Sequence, residues 1–359
     1  MTSITTASQP VRSGWRPNAL QIGIALPILA LLTAAILFAA FVAMNGKNPI
    51  EVFSLMIQGG FGSSFAWQDT LSRAAPLILA GLAVAIPAQA GLVIIGGEGA
   101  LVIGGLAAAV VTLPFANSSP LLMQIMMLAA GATVGAIWLG FAGYLRQHRG
   151  LNETISSLLL SYIAIAVFHH LTEGPLRDPA SLDKPSTHPI DVHYMLPVLP
   201  GIDVHMGLAI SVVCALIAFL VIRFTHWGFA LRVVGGNTRV AKMIGLSVNR
   251  WVIGAAAIGG GMVGLAGAIE VAAVQGTANT SLITGYGNSG ILVAFLARQH
   301  PLAVVPIACL IGGIQASGSL LQRRLELPDA TILVFQGLIF VCVLVADALS
   351  QKFNEAKGN

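Results

Sequence analysis

LQIGIALPILALLTAAILFAAFVAM, residues 20–44, runs from Leu20 to Met44 without a single charged side chain. Roughly 20 apolar residues in a helix span a hydrocarbon core about 30 Å thick, so this stretch is long enough to cross a bilayer. It is also longer than the 7 to 15 residues, roughly, of a secretory signal core, so it is expected to stay in place as a first span. The polar residues 1–18 before it, with Arg12 and Arg16, then form a short N-terminal tail.

Similar runs recur along the chain. Apolar stretches between polar breaks predict segments at 20–43, 72–90, 95–113, 121–145 and 153–171, then at 206–224, 251–273, 286–297, 302–320 and 331–349. The composition agrees: 56% of the 359 residues are hydrophobic and 9% charged, against roughly 25% charged in a soluble domain. Too few charges remain to coat a water-facing surface. The expected fold is an all-α integral membrane protein of about ten transmembrane segments. It has two related halves, each holding a short segment interrupted by glycine, near residues 96 and 287. Residues 19–350 form one polytopic domain, and 351–359 a C-terminal tail.

The net charge of +4 does not mark a nucleic-acid binder, because the basic residues sit in short clusters between apolar runs. That distribution sets membrane orientation. With the N-terminus in the cytoplasm, twelve of the 18 Lys and Arg fall inside, among them Arg146, Arg149, Arg232, Arg239, Lys242, Arg250 and Arg298. Arg323 and Arg324 are the strongest exceptions. The expected topology is N-in and C-in. The longest polar stretch, 173–205, then lies outside, and its six prolines disfavour a regular helix there.

Chemistry of other kinds is poorly served. Cys214, Cys309 and Cys342 lie far apart in apolar runs, with no paired spacing. His169 and His170 are adjacent, so on a helix they diverge, and His188, His193 and His205 lack the spacing of a zinc site. No metal is assigned. No nucleophile and base pattern stands out, and the chain is not expected to be an enzyme.

The most informative break between spans is WGFALRVVGGNTRVAKMIG, residues 227–245. Asn237 suits a helix N-cap and Gly245 the residue after its end. Between them Val240, Ala241, Met243 and Ile244 share one face, while Arg239 and Lys242 share another. Two turns of amphipathic helix lying on the membrane surface account for this pattern. A docking site for a partner is the other reading, which the residue pattern alone favours less.

Polar residues within the spans each require a reason, since an ionised group at a helix centre costs roughly 2.5–3.5 kcal/mol on insertion scales. Glu98, in the glycine-rich break IIGGEGALVIGG (94–105), is either a carboxylate lining a pathway or a pin for a broken helix. Asn152 and Glu153 suit the start of a helix as cap and first-turn acid. Tyr162 on that helix either lines a path or packs between helices. Glu270 is expected to emerge near the outer surface, and the stretch Gly259–Gly267 reads as tight helix packing.

Segment 228–246, GFALRVVGGNTRVAKMIGL, resembles the cytoplasmic coupling loop of permease subunits from ABC importers for simple sugars and nucleosides, the branched-chain amino acid/ribose-like inner-membrane permease family. The matching positions are Gly228, Arg232, Gly235, Asn237, Ala241 and Gly245, with Val240 where the family usually has Ala. IIGGEGALVIGG is similar to the family's Asn-Ile-Gly-x-Glu-Gly-Gln segment, with Ile94 and Ala100 replacing the Asn and Gln. LNETISSLLLSYIA (151–164) resembles its Asn-Glu-x-Ile and Leu-x-Tyr pattern, with Ser161 for the common Asn. Together with GLAGAIEV, GYGNSGILVAFLARQHPLAV and FQGLIFVCVLV, the likeness covers roughly residues 70–349.

The resemblance implies a multi-pass permease of the bacterial inner membrane that moves a small polar solute inward by alternating access. The stretch NETISSLLLSY and the long outer loop fit the nucleoside branch better than the ribose branch. No phosphate-cradling G-x-x-x-x-G-K-[ST] occurs in the chain. ATP and Mg would therefore be bound by a separate cytoplasmic ATPase subunit docking on 225–250, with Gly228, Arg232, Gly235, Asn237, Arg239, Ala241, Lys242 and Gly245 as coupling residues. The implied partners also include an extracytoplasmic solute-binding protein, meeting loops such as 173–205, and a second permease chain, a heterodimer in preference to a homodimer. Membrane lipid surrounds the chain, and no nucleic acid is expected. The candidate translocation pathway comprises Glu98, Asn152, Glu153 and Tyr162. A different class fits the glycine-broken segments as well, an ion-coupled secondary transporter, although Glu98 is its one good ion-coupling carboxylate. A membrane scaffold without a polar path is a third reading.

Overall fold

A computed structural model describes the backbone of residues 19–115, 118–181 and 184–358, and side chains from Ile28 to Leu349 within that range. The expected N-terminal tail 1–18, with Arg12 and Arg16, lies outside the described residues. So do the side chains of Lys352 and Lys357.

The chain folds into helices α1 (Ala19–Met44), α2 (Pro49–Phe61), α3 (Ser64–Ala88), α4 (Gly97–Val111), α5 (Pro120–Arg149), α6 (Glu153–Glu173), α7 (Gly207–Phe224), α8 (His226–Gly236), α9 (Thr238–Met243), α10 (Val248–Glu270), α11 (Tyr286–Leu296), α12 (Pro301–Leu325) and α13 (Ala330–Gly358). Among the described residues there is no strand, and two isolated bridges are the only β pairing.

Each of the ten expected segments corresponds to a helix, but not each is a full crossing. Among the described residues seven helices are long and apolar enough to span a membrane, and eight if α1 and α2, bent by 116° at the Asn45–Asn48 turn, count as one broken span. The two glycine-interrupted segments account for most of the shortfall. α4 has 15 residues and α11 has 11, about 22 Å and 16 Å at 1.5 Å per residue. The sequence reading assigns no segment to 49–61. There Asn48 accepts a bond from the Ile50 amide and Pro49 sits at the first helical position, so the helix has a built start.

α3 runs through the middle, buried over most of its length. Its Gly81 abuts Val293 and Val304, from α11 and α12. α5, α4 and α10 pack through small residues: a methyl group on Gly264 would overlap the carbonyl of Gly131, and one on Gly260 that of Gly135. Without a hydrophobic drive between helices in lipid, such close backbone approach supplies the van der Waals contact that holds them. The tight packing expected of Gly259–Gly267 is thus present. Glu270 departs from expectation: instead of emerging at the surface it is buried at the end of α10, 3.4 Å from the Gln275 amide nitrogen in the π-helical turn that follows.

Two clusters of connections define the ends of the bundle. At one end Gln89 Nε2 donates to the Gln299 carbonyl and Gly91 lies against Gly235, which brings the turns after α3 and α11 up to α8. At the other end the described residues of the segment after α6, up to residue 205, form no regular helix beyond the 3₁₀ turn Val192–Tyr194. It is strapped instead onto the chain after α10. The Thr187 amide donates to Ala278 O, that of Ile190 to Gly276 O and that of Leu196 to Ala272 O.

Candidate functional site

Two interrupted spans enter from opposite ends and meet in the middle. The first comes from the α8 end as an extended segment, residues 92–96, and becomes helical at Gly97, continuing as α4. The second comes from the 173–205 end as residues 276–285 and becomes helical at Tyr286, continuing as α11. Their N-termini touch, because Gly97 and Gly287 have no side chains to hold them apart.

Glu98 joins them. Its Oε1 accepts from the Gly285 amide at 2.8 Å and its Oε2 from the Gly287 amide at 2.7 Å, so the carboxylate caps α11. The positive end of a helix macrodipole and unpaired N–H groups favour an anion at that place. A charge that would be costly in an apolar interior is thereby matched.

The extended segment 92–96 carries backbone groups that no helix satisfies, and in a membrane interior they require partners. α6 supplies them from one face. The Thr154 hydroxyl donates to Val93 O at 2.8 Å, Ser157 Oγ accepts from the amides of Ile95 (3.2 Å) and Gly96 (3.3 Å), and Ser161 Oγ accepts from that of Gly99 at 2.7 Å. Gly99 permits this approach: a β-carbon there would run into the Ser161 backbone. Ser161 therefore performs the hydrogen-bonding task at this turn.

Glu153 and Asn152 hold the start of α6 and its neighbours. Asn152 Oδ1 accepts from the amides of Thr154 (2.9 Å) and Ile155 (3.3 Å), a helix N-cap. Glu153 is ion-paired with Arg146 and accepts from the Val93 amide at 3.4 Å, which ties α5, α6 and the extended segment together.

Between α4, α6, α11 and α13 lies a cleft of about 500 Å³. Of the four candidate pathway residues Glu98 and Tyr162 line it, and Asn152 and Glu153 lie outside its wall. Its other polar walls are Ser161, Thr284, Asn288, Ser289 and Gln336, and its apolar walls include Ile165 and Phe340. Sequence reasoning passes over Ser289, Gln336 and the neighbouring Gln315. A signal was there, since Gln336 stands alone in the apolar run from Ile332 to Phe340 and an isolated polar residue within a span invites a functional reading. Gln315 Nε2 donates to Ser289 Oγ at 3.2 Å, and Ser289 Oγ in turn donates to Gln336 Oε1 at 3.2 Å. Gln336 Nε2 has no partner.

The 225–250 segment holds two helices. Gly228 nestles against the Ile222 backbone, and Arg232 Nη1 donates to Ile222 O at 2.6 Å, clasping α8 to the end of α7. Gly235 fits against residues 89–91, where a side chain would collide with the Gln89 carbonyl. Asn237 caps α9 by accepting from the amides of Arg239 (2.9 Å) and Val240 (3.2 Å), and Gly245 past its end takes φ +85°. The apolar face read from the sequence divides: Ala241 is buried, whereas Val240, Met243 and Ile244 are exposed beside Arg239 and Lys242.

The groups that could bind a metal do not gather. Among the described residues no cluster of three or more His, Cys, Asp or Glu side chains occurs.

Comparison with known proteins places these features. Residues 67–344 match the family model described as "Branched-chain amino acid transport system / permease component". The chain is 31% identical over 333 residues to a glucose ABC transporter permease protein of Haloferax volcanii, covering 89% of this chain and 87% of that protein. It is 27% identical over 340 residues to a guanosine ABC transporter permease protein of Bacillus subtilis, covering 90% and 94%. A second guanosine ABC transporter permease protein of Bacillus subtilis is 24% identical over 294 residues, covering 77% and 89%. With its apolar spans and its broken helices, the chain belongs to the branched-chain amino acid transport system permease family, as a multi-pass plasma-membrane permease subunit of an ABC importer.

Proposed function

We propose that this subunit conducts a nucleoside or simple sugar through the cleft between α4, α6, α11 and α13, with a second permease chain closing the cleft's open side. The cleft carries this reading. Polar groups bordering hydrocarbon must be covered by protein or line a water-filled path, and the α6 flank beside Tyr162 is exposed on this chain. The two guanosine permease proteins of one Bacillus subtilis strain support a heterodimer over a homodimer.

In this account the N- and C-termini face the cytoplasm, ATP and Mg are held by a separate ATPase subunit, and that subunit docks on α8 and α9. Exposed Val240, Met243 and Ile244 would enter its surface, with Arg239 and Lys242 at the rim. Movement at α8 has a short route inward: Gly235 presses on the 89–91 turn, which leads through 92–96 to Glu98 and the start of α11. The strap 173–205 faces outward, where a solute-binding protein would press on the chain leading into α11 from the other side. Alternating access would then arise from the two broken spans shifting about Glu98.

The test is uptake into proteoliposomes holding the chain with its genomically neighbouring permease, ATPase and binding protein. Uptake should need ATP and the ATPase, persist with a proton ionophore, and fall when Gly235→Leu or Met243→Asp is introduced. Uptake that survives ATP removal and collapses with the ionophore overturns the reading.

A further inference from the structure

We infer that the cleft selects an uncharged solute bearing a hydrogen-bond acceptor, and that Gln336, held by Ser289 and Gln315, is the residue that reads it. The inference rests on the cleft being the solute path.

Charge comes first. The cleft has no lysine or arginine in its wall, and its one carboxylate, Glu98, has both oxygens engaged by the backbone of α11. A phosphate or carboxylate on the solute would meet no counter-charge from this chain's wall, and an ammonium group would meet a carboxylate already taken. Leaving a charge unpaired in such a place excludes the solute more strongly than any attractive contact selects one. A zwitterionic amino acid, a sugar phosphate and a nucleotide are all disfavoured, whatever name the wider family carries.

The second observation is Gln336. It is 6% exposed, sits in the cleft wall, and is fixed in direction by a relay running from Gln315 through Ser289 to its own Oε1. That relay leaves Nε2 as a buried donor with no partner. Buried polar groups are nearly always satisfied, so an orphan in a cavity wall points to a partner that arrives. A small turn of the side chain about its relay would carry Nε2 to an acceptor in the cleft. Tyr162 and Phe340 add aromatic side chains to the same wall, suited to the apolar side of such a molecule. Ring compounds with a hydroxyl or carbonyl edge and no net charge, such as hexoses and nucleosides, match both features. A cleft of about 500 Å³ lies within the roughly 300–1,000 Å³ of small-molecule sites.

The experiment is competition for radiolabelled guanosine and glucose on the purified full complex without its binding protein, so that only the membrane subunits read the solute. Guanosine or glucose should be displaced by the same unlabelled neutral compound, and at least tenfold less well by guanosine monophosphate, glucose 6-phosphate or leucine. Gln336→Met, close in shape but without the amide, and Ser289→Ala, which frees the relay, should each weaken neutral binding about tenfold in complexes that still co-purify with all subunits. Displacement by the charged probes at equal strength, no saturable binding of either neutral compound, or wild-type binding in both variants overturns the inference. ATP-driven uptake of leucine would do the same while leaving the permease reading intact, and absence of any ATP-driven uptake would instead remove that reading.

Discussion

Replacing Glu98 by alanine removes the carboxylate that caps α11. Two buried amides, at Gly285 and Gly287, lose acceptors at 2.8 and 2.7 Å, and nothing else in the cleft wall stands ready to replace them. Hydrogen bonds to a charged group contribute about 1.5–3 kcal/mol each, so the loss is roughly 3–6 kcal/mol. Glu98→Gln keeps one good acceptor and turns an amide N–H toward the other donor, so about half that loss is expected. Glu98→Asp retains the charge but falls one methylene short of α11. Thermal unfolding of the detergent-purified chain, followed by the reactivity of its half-buried cysteines, should rank wild type above Gln and Gln above Ala. At about 2 °C per kcal/mol, Ala should lie on the order of 6–12 °C below wild type. An Ala variant within about 1 °C of wild type would refute the claim that this carboxylate joins the two broken spans.

Four further outcomes are expected. Asn237→Ala should loosen α9 by about 0.5–2 kcal/mol through loss of its cap, and the measurable effect is weaker ATPase co-purification with unchanged expression of the chain. Gly99→Val should fail to assemble the α4–α6 contact, since a side chain there overlaps the Ser161 backbone; limited proteolysis within 91–99 would report it. In a double-mutant cycle Arg146→Leu and Glu153→Leu should couple by no more than about 1 kcal/mol, the range of partly exposed pairs. His205, just before α7, is held below its ordinary pKa by burial, with Nε2 facing Ser72 O and Nδ1 unpaired. The unfolded chain thus takes up a proton more readily than the folded one, so stability should fall as pH drops below about 6.5, and His205→Leu should flatten that fall.

The apolar runs were legible because a bilayer demands length, and length is written directly in residues such as 20–44. α9 was legible for a different reason: Asn237 and Gly245 are local signals that act within a few residues. What stayed hidden depends on distant partners. Asn152 and Glu153 read in the sequence as cap and first-turn acid, and Asn152 does cap α6, but the tie from Glu153 to Arg146 and Val93 exists only in three dimensions. Glu98 was visible as an anomaly, but its partners are nearly 190 positions away. Ser289, Gln315 and Gln336 come from three different helices, and no spacing in one chain announces that they meet. α2 escapes sequence reading because an amphipathic helix of 13 residues, set off from α1 by a sharp bend, lacks the length that betrays a span.

The most direct test of the cleft as the solute path is site-directed labelling at its wall. With Cys214, Cys309 and Cys342 replaced by serine, Tyr162→Cys in the full complex should react with a small membrane-impermeant thiol reagent. That reaction should block ATP-dependent uptake, and the transported solute should slow it. Uptake that continues at the unmodified rate after complete labelling at that position would contradict the account.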